Sequence, residues 1–124
     1  MTDEGQPLEV DWLSGACLLV PKSVIDRVGL LDEDFFMYWE DADWCKRIKD
    51  AGYKIVWLPT AEIYHHAGQS SKQVRVRSII EFNKSVYKYY KKHYDRQNII
   101  LNIFVVLGLT IRVLAKLVYS YLKK

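Results

Sequence analysis

Cysteine, proline and glycine are all scarce, at two, three and six residues among 124. Two cysteines do not build a disulfide framework, so Cys17 and Cys45 read as reduced thiols of a cytoplasmic protein. Cys17 lies in an apolar run and is expected to be buried, and Cys45 is expected on a helix. The chain has no low-complexity segment and no internal repeat. Its first ten residues are polar and acidic, which does not fit a signal peptide. Half of the residues are hydrophobic, which excludes a disordered tail, and the length allows one small domain at most.

The modest net charge of +3 hides an asymmetry. Residues 1–71 hold six Lys/Arg against thirteen Asp/Glu, a balance of −7. Residues 72–124 hold twelve Lys/Arg against Glu81 and Asp95, a balance of +10. An acidic, mixed first part is thus joined to a basic, helical second part. Such polarity points to an anionic partner for the second part, phospholipid or nucleic acid.

Residues 1–11 read as a polar lead-in. Ser14-Gly15 is a turn signal, and Ala16–Val20 reads as a buried strand stopped by Pro21. Lys22–Val28 fits a short helix ended by Gly29. Leu30–Trp39 is a loop rich in acids and aromatic rings. A helix follows with Asp41 as its N-cap, Trp44 and Ile48 on one face, and Gly52 as its stop. Lys54–Leu58 reads as a strand, and Ala61–His65 as a second strand or edge segment. The pattern is helical from Ser71 to about Tyr94 and again, far more apolar, from Asn98 to Leu122.

The densest chemistry lies at Tyr38-Trp39-Glu40-Asp41-Ala42-Asp43-Trp44, with three carboxylates in four positions and aromatic rings on both sides. Like charges this close repel unless a helix end, a cation or a metal compensates. Amide N–H groups at a helix start favour negative charge there. A carboxylate at such a position can take a proton from a bound hydroxyl, and aromatic rings beside it can grip a sugar. A simpler role competes with this one, since Asp and Glu are also ordinary residues of a first helical turn. The second constellation is Tyr64-His65-His66-Ala67-Gly68-Gln69-Ser70. A histidine ending a strand before a glycine turn suits a metal ligand or a phosphate contact, although a plain solvated or core histidine fits the same pattern. One histidine cannot hold a metal alone, and the acidic cluster is one source of further ligands.

Three segments occur in a fixed order. The first is Val10-Asp11-Trp12-Leu13-Ser14-Gly15-Ala16-Cys17-Leu18-Leu19. The second runs from Gly29-Leu30-Leu31-Asp32-Glu33-Asp34 through Phe35-Phe36-Met37 and the acidic cluster to Cys45. The third is Gly52-Tyr53 leading to Ala61-Glu62-Ile63-Tyr64-His65 and Gly68-x-Ser70. Together they resemble the acceptor-side half of the family-two, inverting glycosyltransferases, especially the bacterial rhamnosyltransferase-like branch. The resemblance covers about residues 10–71 and, more loosely, the basic helix after it.

The resemblance implies an α/β fold: a partial GT-A-like (nucleotide-diphospho-sugar transferase) domain over residues 1–71. A basic amphipathic helix over 72–97 and an apolar membrane-associated helix over 98–124 follow it. By position it implies Asp41 as the general base that deprotonates the acceptor hydroxyl, with Glu40 and Asp43 as supporting acids. It implies His65, ahead of His66, as a contact to a divalent metal (Mg or Mn) or to the diphosphate. Trp39 and Trp44 would shape the acceptor site, and Gly15 would let the backbone approach the substrate. The implied partners are a nucleotide-sugar donor and a lipid-linked glycan acceptor, and the implied reaction is one in-line displacement with inversion. The family's nucleotide-binding βαβ units and Asp-x-Asp motif, which precede the first matched segment, have no counterpart in this chain. The resemblance therefore implies a fragment, completed by a donor-half chain or a second copy. The alternative from another class is a non-catalytic, membrane-bound interaction module.

Asn98, Asn102, Arg112, Lys116, Ser120 and Lys123 form one polar stripe on an otherwise apolar helix. Its length is about that of a membrane span, ~20 residues. Arg112 near its middle would cost roughly 2.5–3.5 kcal/mol on an insertion scale, partly relieved by snorkelling. A narrow cationic stripe equally suits a helix lying in the interface, which is the reading favoured here. A helix packed on a further domain or a second copy is the competing structural reading. Residues 72–97, with eight Lys/Arg and two acids, would rest on anionic headgroups at the cytoplasmic face of the cell membrane. No nucleic-acid motif accompanies the basic pattern, so nucleic acid is not an expected partner.

Overall fold

The computed structural model describes residues 5–66, 75–94 and 98–122. In chain order the elements are β1 (Leu8–Val10), α1 (Lys22–Val28), α2 (Glu40–Asp50), β2 (Ile55–Trp57), α3 (Arg75–His93) and α4 (Ile99–Leu122). They divide between two compact units. The first comprises Met1–Asp34 and Glu40–Ala67, and the second comprises Phe35–Trp39 and Gly68–Lys124. Among the described residues the architecture is helical, with one small antiparallel sheet of two strands.

In the first unit β1 pairs with β2, with Leu8 opposite Trp57 and Val10 opposite Ile55. Ion pairs flank the ladder, from Lys54 to Glu9 at 2.9 Å and from Lys49 to Asp11 at 2.5 Å. The core is Val24 of α1, Cys45 and Ile48 of α2, and Ile55 of β2, with Leu13, Leu18, Trp44 and Tyr53 packed against it. Helix α1 follows Pro21, whose fixed φ suits a helix start, and carries the Lys22–Asp26 ion pair one turn apart. It ends where the N–H of Gly29 donates to the carbonyl of Ile25 at 2.8 Å, with Gly29 at φ +81. That left-handed conformation favours glycine. Helix α2 has acids in its first turn and Arg47 and Lys49 in its last, the order its dipole favours.

Several local expectations change. Residues 8–10 are a strand rather than part of a polar lead-in, because Val10 can pair across to the buried Ile55. Ala16–Val20 is not a strand. Pro21 removes a ladder donor at its end, Leu19 is 97% exposed, and only Leu18 and Val20 reach the core. Cys17 is consequently exposed, whereas Cys45 is buried. Ala61–His66 is irregular and exposed, with no strand partner among the described residues. The helix begins at Glu40, so Asp41 lies inside its first turn and is not the cap.

In the second unit the aromatic segment Phe35–Trp39 packs on α3. The ring of Phe82 meets those of Tyr38 and Trp39 at 5.4 and 6.2 Å, and Tyr89 meets Trp39 at 5.0 Å. The hydroxyl of Ser85, which is buried, donates to the carbonyl of Met37 at 2.9 Å. Helices α3 and α4 pack on each other. Asn98 caps α4, its side-chain oxygen accepting from the N–H groups of Ile100 and Leu101 at 3.1 Å. The apolar residues Ile79, Phe82 and Val86 of α3 are half-buried. The most buried positions are the small polar Ser78, Asn83 and Ser85.

Candidate active site

The N-terminal turn of α2 and the Ser14-Gly15 turn come together in the first unit. The Gly15 N–H donates to Asp41 Oδ2 at 2.8 Å across 26 residues, and the Ala42 N–H donates to Asp41 Oδ1 at 2.8 Å. Both carboxylate oxygens are thereby held by backbone donors, which fixes the plane of the group while leaving it partly open to solvent. The turn that presents Gly15 is closed by the Cys17 N–H donating to the Ser14 carbonyl at 3.3 Å. A β-carbon on Gly15 would lie 3.5 Å from Asp41 Cβ, an ordinary contact, so its N–H rather than its lack of a side chain joins it to Asp41.

The other two acids have different surroundings. Asp43 is fully buried and accepts from Nε of Arg47 at 2.9 Å. The same guanidinium donates to the Val28 carbonyl at 2.5 Å and to the Leu30 carbonyl at 2.7 Å. Arg47 thus ties the end of α1 to α2, a role that sequence reading missed although the Asp43-x-x-x-Arg47 spacing signals such a pair. Glu40 has a buried oxygen, Oε2, with no hydrogen-bond partner among the described residues.

The two tryptophans lie in different units. The indole N–H of Trp44 donates to the Gly29 carbonyl at 2.9 Å, and its ring packs against the core of the first unit. Trp39 packs in the second unit edge-on to Phe82 and tilted against Tyr89. Tyr38 and Trp39 hold φ values of 66 and 70, in the left-handed region that bulky residues avoid. Such strain concentrates at functional segments, and here it immediately precedes the acidic turn.

His65 and His66 are exposed. Gly68 and Ser70, the rest of that motif, fall outside the described residues. No group of three or more metal-ligating side chains forms among the described residues.

Away from Asp41, hydrogen bonds from Lys54 and Lys49 hold the carboxyls of Glu9 and Asp11 below their ordinary range, and raise the two lysines. Burial pushes the Cys45 thiol up.

The chain has sequence relatives among named glycosyltransferases. A rhamnosyltransferase of Mycobacterium tuberculosis, N-acetylglucosaminyl-diphospho-decaprenol L-rhamnosyltransferase, is 42% identical over 78 residues, covering 63% of this chain and 25% of the relative. Rhamnosyltransferase WbbL of Escherichia coli is 32% identical over 80 residues, covering 64% of this chain and 30% of the relative. The chain is similar to rhamnosyltransferases. The dTDP-rhamnosyl transferase RfbF of Shigella flexneri extends the likeness, at 30% identity over 90 residues, 71% of this chain and 30% of the relative. The chain therefore spans between a quarter and a third of the length of these rhamnosyltransferases. No family model and no solved structure matches it.

Proposed function

We propose that this chain supplies the acceptor side of a glycosyl transfer, from a nucleotide-activated rhamnose or other hexose to a lipid-linked or polysaccharide acceptor, with inversion. The observation that carries the reading is the Gly15–Asp41 hydrogen bond. It joins two of the three motif segments and holds one carboxylate in a fixed orientation, partly open to solvent. Asp41 takes the proton of the acceptor hydroxyl as that oxygen attacks the anomeric carbon, and the nucleoside diphosphate departs on the opposite side. Glu40, beside Asp41 in the first turn of α2, is a supporting acid for that base. Asp43, engaged by Arg47, acts through the position of α2 rather than by touching substrate.

In this reading the first unit is part of a GT-A-like domain, and groups from a donor-binding part complete the site. The metal that such enzymes employ would need ligands beyond those described around His65. The apolar length of α4 supports association with a membrane, and in this reading the contact is with the cytoplasmic face.

The test is a transfer assay on the protein completed by its donor-binding part, with a nucleotide-rhamnose donor and a polyprenyl-diphosphate-linked acceptor. Asp41→Asn should lower transfer by about 10²–10⁴-fold, the usual contribution of a positioned base, with donor binding unchanged. Parental turnover by that variant removes Asp41 from the role.

A further inference from the structure

Helix α4 has 24 residues, which makes it about 36 Å long at 1.5 Å per residue, so length alone would let it cross a bilayer. Ile100, Ile103, Leu107, Ile111, Leu114 and Val118 recur at three- and four-residue spacing along one face, and all are exposed. The opposite stripe, which includes Asn102, Leu109 and Ser120, is half-buried, and α3 is the helix that packs on α4.

Arg112 distinguishes the two ways such a helix can meet lipid. Its Nη1 donates to Asn83 Oδ1 on α3 at 2.7 Å, and its guanidinium lies 4.4 Å from the centre of the Phe82 ring. Asn83 is itself buried and fixed, its amide donating to the Ile79 carbonyl at 2.6 Å. Arg112 lies well inside α4 and Asn83 well inside α3, yet only Tyr94–Asn98 connects the two helices. The pair must therefore run antiparallel, side by side.

That pairing sets the depth of α3. Arg77, Lys84 and Lys88 are exposed on α3 within six positions of Asn83, about 9 Å along the axis. A crossing α4 with Arg112 near mid-depth would draw all three cations into a hydrocarbon layer about 15 Å thick on each side of the midplane. Laid flat, the hairpin sinks the Ile100–Val118 face among acyl chains and keeps the cations at headgroup level. Lys116 also lies on α4, so cationic groups of both helices come within about a Debye length, ~10 Å, of anionic headgroups.

We infer that α3 and α4 form a monotopic hairpin, held together by Arg112 and Asn83, that lies in one leaflet of an anionic bilayer without crossing it. This deepens the membrane association proposed above and rests on it. No sugar donor enters the test, so its outcome is independent of the transfer reading.

The full 124-residue chain is floated with phosphatidylcholine vesicles, with and without phosphatidylglycerol, at low salt. It should float with the anionic vesicles and bind neutral ones at least about tenfold more weakly. A Cys17→Ser, Lys124→Cys variant is then treated from outside with a membrane-impermeant maleimide, with the parental, exposed Cys17 as external reference. Labelling at position 124 should match that reference and should not rise in detergent. A rise of about twofold or more on adding detergent means that α4 crosses, and overturns the monotopic hairpin. Equal binding to neutral vesicles overturns the headgroup contact. Failure to float with either membrane overturns membrane association itself.

Discussion

Arg47 holds the buried carboxylate of Asp43 at 2.9 Å while spending its other two nitrogens on the carbonyls of Val28 and Leu30. One side chain thus anchors the end of α1 and the following loop to the helix that carries Asp41. The acidic cluster is tolerable because its three carboxylates have separate surroundings. Asp43 is ion-paired, Asp41 is held by backbone N–H groups, and Glu40 keeps one buried oxygen without a described partner.

Removing the cation leaves a buried charge uncompensated. Arg47→Met should destabilise the chain by about 3–5 kcal/mol, the usual cost of breaking a buried pair from one side. Adding Asp43→Asn should recover part of that loss. Urea midpoints of the parent, the single variant and the double variant check both statements, and a double variant no more stable than the single one would contradict them.

Gly15 separates stability from function. Its added methyl group meets Asp41 only at ordinary contact distance, and the N–H donor is kept. Gly15→Ala should therefore unfold within about 0.5 kcal/mol of the parent, as surface changes usually do. If the acceptor passes against this backbone, the same variant should show a raised acceptor KM in the transfer assay. A large fall in thermal midpoint would contradict this account of Gly15.

Acid and alkali should act on the sheet margin. Glu9 and Asp11 titrate in the folded chain below their ordinary values of 4.5 and 3.8. Their contribution is therefore complete above those values and is lost as pH falls through the lowered ones. Lys49 and Lys54 are raised above 10.5, so their contribution is complete below that value and is lost as pH climbs through the raised ones. Glu9, Asp11 and Lys54 are exposed and Lys49 is half-buried, so salt should suppress most of the effect. Urea midpoints from pH 2 to 5 in the parent and in Lys54→Met test the acid limb. The variant should show the shallower dependence.

The two thiols should differ in access. Cys17 is exposed, and Cys45 is buried with its thiol pushed up by burial. One maleimide should add quickly to the native chain and a second only in denaturant. Mass spectrometry after timed labelling reads this directly, and rapid double labelling of the native chain would contradict the burial of Cys45.

Local chemistry was readable wherever a short stretch decides its own conformation. Lys22–Val28 with Gly29 behind it, and the acidic start and basic end of α2, follow from neighbours within a turn or two. Pairing was not readable. Leu8–Val10 is a strand only because Ile55–Trp57 lies beside it, and Ala16–Val20 has the composition of a strand without becoming one. The Gly15–Asp41 bond spans 26 residues, and motif order suggested the proximity but not the N–H donor. The partner of Arg112 was equally hidden, because Asn83 lies far from it in sequence and its burial depends on how the two helices pack.

Tyr38 and Trp39 bear on how this stretch can vary. Their rings are wanted by Phe82, yet their backbone, at φ 66 and 70, suits residues without rings. Glycine or asparagine would ease the backbone and forfeit the ring contacts. Proline, fixed near −65°, cannot adopt either conformation, and branched side chains fit it poorly. A random library at these two positions should therefore return very few alternatives. The aromatic pair is kept by a compromise between packing and backbone geometry that few other residues can satisfy.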